Sequence, residues 1–129
     1  MTTLVAMAKI LICDDEPALR ELMRVAIVGE YEFEEASSVA EGIEAAADFR
    51  PDVALVDVMM PGGSGLDVVR HLANDPELSH ARCIVVSAFA SEADQEAARE
   101  AGAAAFIAKP FDPDELSAIV AALLEPGER

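Results

Sequence analysis

The sequence predicts a doubly wound α/β sandwich, and two observations point there. Short β-prone runs alternate along the chain with segments of helical period, giving five strands and five helices. The first, third and fourth of those runs are continuously apolar between their polar ends, as parallel strands covered on both faces should be.

The first strand reads "KILIC" at 9–13, and the helix after it has Pro17 in its first turn and a stripe of Leu19, Leu22, Met23, Ala26 and Ile27. The second strand, "EFEEA" at 32–36, alternates polar and apolar, which marks the edge of a sheet. Ser38 with Glu41 then offers a cap for the orphan amides of the second helix. The third strand, "DVALVD" at 52–57, lies between two aspartates, and the turn "PGGSG" follows, with Ser64 and Asp67 opening the third helix. "RCIVVS" at 82–87 is the fourth strand, and Ser91 with Asp94 starts the fourth helix. "AAFIA" at 104–108 is the fifth, after which Asp112, Pro113 and Glu115 begin a last helix with a stripe of Leu116, Ile119, Val120, Leu123 and Leu124.

At 129 residues the chain fits one domain over 1–129, with "EPGER" at 125–129 as the only linker-like piece or tail. It is 53% hydrophobic and 26% charged, a globular composition. The formal net charge is -16, from 25 acidic and 9 basic residues. No stretch gathers Lys and Arg into a patch that could neutralise phosphates, so direct nucleic-acid binding is not expected. Single acids such as Glu30, Glu32, Glu92 and Glu96 read as a solvated surface. "MTTLVAM" is apolar only briefly and makes a poor signal peptide, and nothing approaches the roughly 18 apolar residues of a membrane span, so the expectation is a cytoplasmic protein without membrane contact. Cys13 and Cys83 lie in apolar runs without CxxC spacing and read as buried small hydrophobes. His71 and His80 sit among polar neighbours and read as surface residues.

In a parallel sheet of this kind the loops after the strands emerge on one side, where ligands collect. The first strand ends in Asp14 and Asp15, the third in Asp57 and the fourth in Ser87, while Lys109 and Pro110 follow the fifth. If the first and third strands are neighbours, three carboxylates crowd together, and each like-charged pair at about 4 Å costs around 4 kcal/mol at an effective dielectric of 20. A raised pKa relieves this, and so does a hard cation with oxygen ligands, Mg2+ being the usual case. Lys109 and Ser87 favour the cation, because they would be aimed at further anionic oxygens, and a phosphoryl group supplies these. Asp57 is then the candidate nucleophile for an acyl phosphate, with Asp14, Asp15 and the backbone carbonyl of Met59 completing a metal shell. Each residue also has a bland reading: Asp14 and Asp15 as a turn before a helix, Asp57 as a solvated or capping acid, and Ser87 as a partner for a local amide. Their convergence favours chemistry.

Together "CDDEP", "DVMMPGGSG", "SAF" and "KPF" resemble the receiver domain of bacterial two-component response regulators, in order and spacing, over almost the whole chain. The resemblance implies a flavodoxin-like (βα)5 fold with strand order 2-1-3-4-5. It also implies phosphoryl transfer to Asp57 from a sensor histidine kinase or histidine phosphotransfer protein, dependence on Mg2+ (with Mn2+ as a substitute), and slow autodephosphorylation. It assigns Ser87 and Phe106 to a switch that repacks the face of the fourth helix, fifth strand and fifth helix toward a protein partner, and it suggests a cis peptide at Lys109–Pro110. Ser stands where the family often has Thr, and Phe where it often has Tyr. Met59 and Phe89, apolar where the family flanks the attacking water, predict a long phosphoryl lifetime. Three readings compete: a phosphatase resembling the haloacid dehalogenase class, whose DxDxT is missing; a flavodoxin, whose phosphate loop is missing; and a receiver-like scaffold that binds partners without phosphorylation.

Overall fold

Ile10, Leu11 and Ile12 have no exposed surface, and neither do Val53, Ala54, Leu55 and Val56. Two strands buried on both faces can only be the centre of a sheet with helices on each side. The computed structural model describes residues 7–125 and builds that arrangement. The expected tail over 125–129 therefore lies, past Glu125, outside the described residues, as do the first six residues of the N-terminal stretch.

In chain order the elements are β1 (Lys9–Cys13), α1 (Pro17–Ala26), β2 (Glu32–Ala36), α2 (Val39–Phe49), β3 (Val53–Val56), β4 (Met59–Met60), β5 (Gly63–Ser64), α3 (Gly65–Asn74), β6 (Arg82–Ser87), α4 (Glu92–Ala101), β7 (Ala105–Ala108) and α5 (Pro113–Leu124). The five-stranded sheet is parallel, in the order β2-β1-β3-β6-β7. This is the expected flavodoxin-like order, and the alternating strand is indeed its edge. Two expectations need correction. The third strand stops short of both aspartates, which lie in the loops flanking Val53–Val56, and the fifth starts at Ala105, one residue late. Met59 and Met60, just before the "PGGSG" turn, pair with Gly63 and Ser64 within it as a two-stranded antiparallel ribbon, β4 with β5, too short for any period to reveal.

The alternation of side chains along each strand splits the core. Ile10, Ile12, Val53, Leu55, Ile84 and Val86 face Met23, Ile27, Leu116 and Val120 of the α1–α5 layer. Leu11, Cys13, Ala54, Val56, Cys83 and Val85 face Ala46, Val68, Leu72 and Ala98 of the α2–α4 layer. Burying one such aliphatic side chain is worth about 1.5–3 kcal/mol, so the two layers hold the sheet. The expected stripe of α1 is narrower than its periodicity suggests. Leu22 is 56% exposed, while Leu19 and Ala26 are half-buried beside Met23 and Ile27.

The caps explain the helix starts. Ser38 Oγ accepts the Glu41 amide at 3.1 Å, Ser91 and Asp94 form a reciprocal capping box, and Asp112 accepts the Asp114 and Glu115 amides. Ser64 caps α3 through Leu66 at 3.1 Å. Its expected partner Asp67 instead pairs with Arg70 at 3.0 Å. Among the described residues no helix is long and apolar enough to cross a membrane.

Candidate functional site

The register carries three carboxylates to one place. Cys13 pairs with Val56 across β1 and β3, so the residues that follow them, Asp14 and Asp57, leave the sheet side by side. The Asp57 amide donates to the Cys13 carbonyl at 2.9 Å, and the Asp14 amide to the Ala36 carbonyl at 3.0 Å. Asp14, Asp15 and Asp57 each offer a carboxylate oxygen within 4.8 Å of the others. Asp14 and Asp57 are buried, and Asp15 is exposed.

Lys109 reaches this cluster from the end of β7. Its amide donates to the Ser87 carbonyl at 2.8 Å, which fixes the chain beside β6, and the Lys109–Pro110 peptide is cis. Its ammonium donates to Asp14 Oδ2 at 2.9 Å and to Asp57 Oδ2 at 3.2 Å. Asp14 Oδ1 accepts the Glu16 amide at 2.9 Å, so this aspartate also makes the turn of its bland reading. Asp57 Oδ1 accepts only a long bond, 3.3 Å, from the Met59 amide.

The electrostatics follow from that shortage of partners. Burial pushes the Asp57 carboxyl above the usual aspartate range, and the Asp14 charge adds to this, while Lys109 and the Met59 amide only partly oppose the rise. Burial alone would pull the Lys109 ammonium down, but its bond to Asp14 and the charge of Asp57 outweigh this and hold it above the usual lysine value. Lys109 is therefore a full positive charge at neutral pH. Burial also pushes the Cys13 thiol beside the cluster up to about 12, with Cys83 and Asp14 adding to the rise. Burial does the same to Cys83, again to about 12. Neither thiol is a nucleophile here.

An all-oxygen donor set, two of its three carboxylates buried and one exposed, fits a hard divalent cation that keeps some water. The turn that follows is what lets the chain leave without filling this space. A Cβ on Gly65 would stand 1.9 Å from the Asp57 carbonyl oxygen, so only glycine fits. Gly62 and Gly63, at φ 91° and 136°, complete the turn. Gly65 was visible in the sequence only as one of several glycines; its role depends on an approach between α3 and the end of β3.

The remaining predicted residues take different places. Ser87 is fully buried at the end of β6, and its hydroxyl accepts the Phe89 amide at 3.0 Å, the local bond of its bland reading. Met59 and Phe89 are 59% and 55% exposed. Phe106 is half-buried against the core of the α2–α4 layer and lines a groove of about 670 Å³ beside α4. His71 and His80 are exposed. Arg20, which no motif signalled, donates to the Asp14 carbonyl at 2.6 Å and to Glu35 Oε1 at 2.7 Å.

Comparison with known proteins bears on the family and the fold. A family model described as the response regulator receiver domain matches residues 10–121. The chain is 37% identical over 123 residues to the phosphate regulon transcriptional regulatory protein PhoB of Pseudomonas aeruginosa, covering 92% of this chain and 54% of that protein. It is 36% identical over 103 residues to the polar-differentiation response regulator DivK of Brucella ovis, covering 79% of this chain and 84% of that one. The chain spans about half the length of the first curated relatives it matches. Among solved structures it superposes on the chemotaxis response regulator CheY4 of Vibrio cholerae with a TM-score of 0.84 at 26% identity, covering 92% of this chain and 100% of that one. A receiver domain protein from Methanospirillum hungatei is similar with a TM-score of 0.79 at 28% identity, covering 92% and 94%.

Proposed function

The chain belongs to the family of response regulator receiver domains, and on that premise we propose that it is a phosphorylation-dependent switch whose phosphoryl acceptor is Asp57. One observation carries the reading: three carboxylates within 4.8 Å of one another share their site with a single ammonium, which bonds two of them.

In the proposed reaction an Asp57 oxygen attacks the phosphorus of a phosphohistidine on a sensor kinase or histidine phosphotransfer protein. A P–O bond forms, the P–N bond breaks, and the imidazole leaves with the electron pair and takes up a proton. Asp14, Asp15, Asp57 and the Met59 backbone carbonyl would hold Mg2+, or Mn2+ in its place. A divalent ion there supplies positive charge for the phosphoryl oxygens. Lys109 supplies the protein's own cation, turning from carboxylate to phosphoryl oxygen, and Ser87 exchanges the Phe89 amide for a bond it donates to the same group.

Movement of Ser87 frees space toward β7, where Phe106 repacks, and the α4–β7–α5 face changes its affinity for a downstream protein. Autodephosphorylation is the attack of water on phosphorus, which breaks the new P–O bond, releases inorganic phosphate and returns the Asp57 carboxylate. Met59 and Phe89 crowd that water, so the acyl phosphate is long-lived for its class. The switch works in the cytoplasm through protein partners, and residues 1–129 form one receiver domain.

Incubation with Mg2+ and acetyl phosphate, followed by intact mass, tests the proposal. Wild type gains one phosphoryl group, and Asp57→Asn or omission of the metal prevents it. No gain in wild type would favour the non-phosphorylated scaffold, and equal gain in the variant would move the acceptor elsewhere.

A further inference from the structure

Asp15 is the exposed member of the acidic trio, and among the described residues its carboxylate accepts no hydrogen bond. Asp14 is held by Lys109 and by the Glu16 amide. Asp15 can be aimed only through its backbone. That backbone hangs from the Asp14–Asp15 peptide, a rigid plane whose orientation is set once its carbonyl is fixed.

The Arg20 guanidinium fixes it. Nη1 donates to the Asp14 carbonyl at 2.6 Å, while Nε donates to Glu35 Oε1 at 2.7 Å. Arg24 Nη1 donates to the other oxygen of Glu35 at 2.8 Å, and the Arg24 Cζ lies over the Phe33 ring at 5.2 Å from its centroid. The fork thus spans from α1 to the edge strand β2, with the acidic loop between. Glu35 has a second effect. A bare guanidinium next to a cation site would oppose the cation, and the paired carboxylate offsets that charge. Glu35 is itself held below the usual glutamate range, chiefly by its bond to Arg20, so it stays ionised at neutral pH.

We infer that Arg20 and Glu35 are positioning residues for divalent-cation binding: Arg20 locks the peptide plane that aims Asp15, and Glu35 anchors and neutralises Arg20. The inference rests on the metal role proposed above for Asp14, Asp15 and Asp57. Lysine cannot replace the fork, because one ammonium does not bond the carbonyl and the carboxylate in the planar geometry of guanidinium.

Titration calorimetry with Mn2+ alone, on wild type, Arg20→Met, Arg20→Lys, Glu35→Gln and Asp15→Asn, tests this, with melting of each protein in metal-free buffer. Arg20→Met and Glu35→Gln should weaken Mn2+ binding about 10-fold or more, the usual cost of removing a group that orients a ligand. Arg20→Lys should not restore it, and the metal-free melting temperatures should move by only a few degrees. Should Arg20→Met fail to fold, Glu35→Gln and Arg20→Lys carry the test. Unchanged affinity in the Arg20 and Glu35 variants, with Asp15→Asn weakened, would overturn the positioning role alone. A wild type that does not bind Mn2+, or an Asp15→Asn variant that binds it equally well, would overturn the metal reading and this inference together.

Discussion

Two aspartates bracket the same four-residue strand. At its start Asp52 is 42% exposed at the side chain; at its end Asp57 is 7% exposed. Asp52 Oδ2 accepts the Lys9 amide at 2.8 Å. Its own amide donates to the Lys9 carbonyl at 2.8 Å, and its carbonyl accepts from the Arg82 amide at 3.0 Å. It knits the beginnings of β1, β3 and β6 together with its hydrogen bonds satisfied. Asp57 has one long amide bond, a shared ammonium and two acidic neighbours. The difference teaches that residue type alone does not distinguish a satisfied carboxylate from one poised to take a new partner. Solvation and the number of donors do, and a carboxylate short of both has reason to accept a new partner.

The comparison breaks most sharply at Gly65, where the backbone of α3 closes on the Asp57 end of the strand. A Cβ at Gly65 would meet the Asp57 carbonyl oxygen at 1.9 Å and its carbon at 2.8 Å, and neither can rotate away. Gly65→Ala should therefore cost about 3 kcal/mol, at the upper end of overpacking effects, and lower the melting temperature by many degrees. The protein that remains folded should label poorly with acetyl phosphate. A variant that melts and labels like wild type would show that α3 can retreat from the strand end.

Lys109→Met comes next. It leaves two buried carboxylates facing each other without their cation and should cost about 2 kcal/mol at pH 7. The pH window follows from two signs. The Lys109 pKa is raised in the folded state, so its contribution is present below the unfolded lysine value, about 10.4, and is lost as pH rises through the folded one. The contribution also needs an ionised Asp57 carboxyl, itself raised by burial, so the difference between variant and wild type should shrink in acid. Chemical melts at pH 3, 7 and 11 check it: a loss that persists at pH 3 would mean that Lys109 acts by packing its stem, not by charge.

Much of this was legible in the sequence, for identifiable reasons. Strand ends in a parallel sheet share one side, so Asp14, Asp57 and Lys109 could be brought together from their positions alone. Caps such as Ser91 with Asp94 are local and therefore readable. Leu22 was misplaced because spacing defines a helical face without saying how wide a strip the sheet covers. The β4–β5 ribbon escaped because two residues have no period. Arg20 and Gly65 escaped for a different reason: each acts through a contact between elements, Arg20 joining the loop after β1 to β2, and Gly65 pressing α3 on the end of β3. Sequence spacing holds no record of such approaches.

A smaller effect sharpens the contrast by changing sign between the two aspartates. The Asp57 carboxyl is raised by burial, so the folded state prefers it neutral, and its contribution to stability is lost as pH rises through the folded value. Asp57→Asn removes the buried charge and keeps the shape, and the melting temperature at pH 7 should rise by a few degrees, with no gain at pH 3, where wild-type Asp57 is already protonated. Asp52→Ala removes a satisfied acceptor and leaves the Lys9 amide without its partner, so it should cost about 1 kcal/mol. Two losses, or two gains, at pH 7 would erase the distinction.

The smallest effect lies near Asp52 and concerns strain of another kind. Arg50, the C-cap of α2, is the one non-glycine residue with positive φ among the described residues, at 54°. A left-handed conformation costs an L residue about 1–2 kcal/mol, which glycine avoids while giving some back through a more flexible unfolded chain. Arg50 also pairs with Glu77 at 2.6 Å, but both side chains are exposed and such a pair is worth little. Arg50→Gly should therefore stabilise by about 0.5 kcal/mol, read as a rise of one or two degrees, with acetyl phosphate labelling unchanged. A fall would mean that the Glu77 pair outweighs the backbone. At the Asp52 end, then, tension sits in a dihedral that one substitution relieves without touching chemistry. At the Asp57 end it sits in a buried charge short of donors, and relieving it with asparagine removes the acceptor oxygen on which the proposed switch depends.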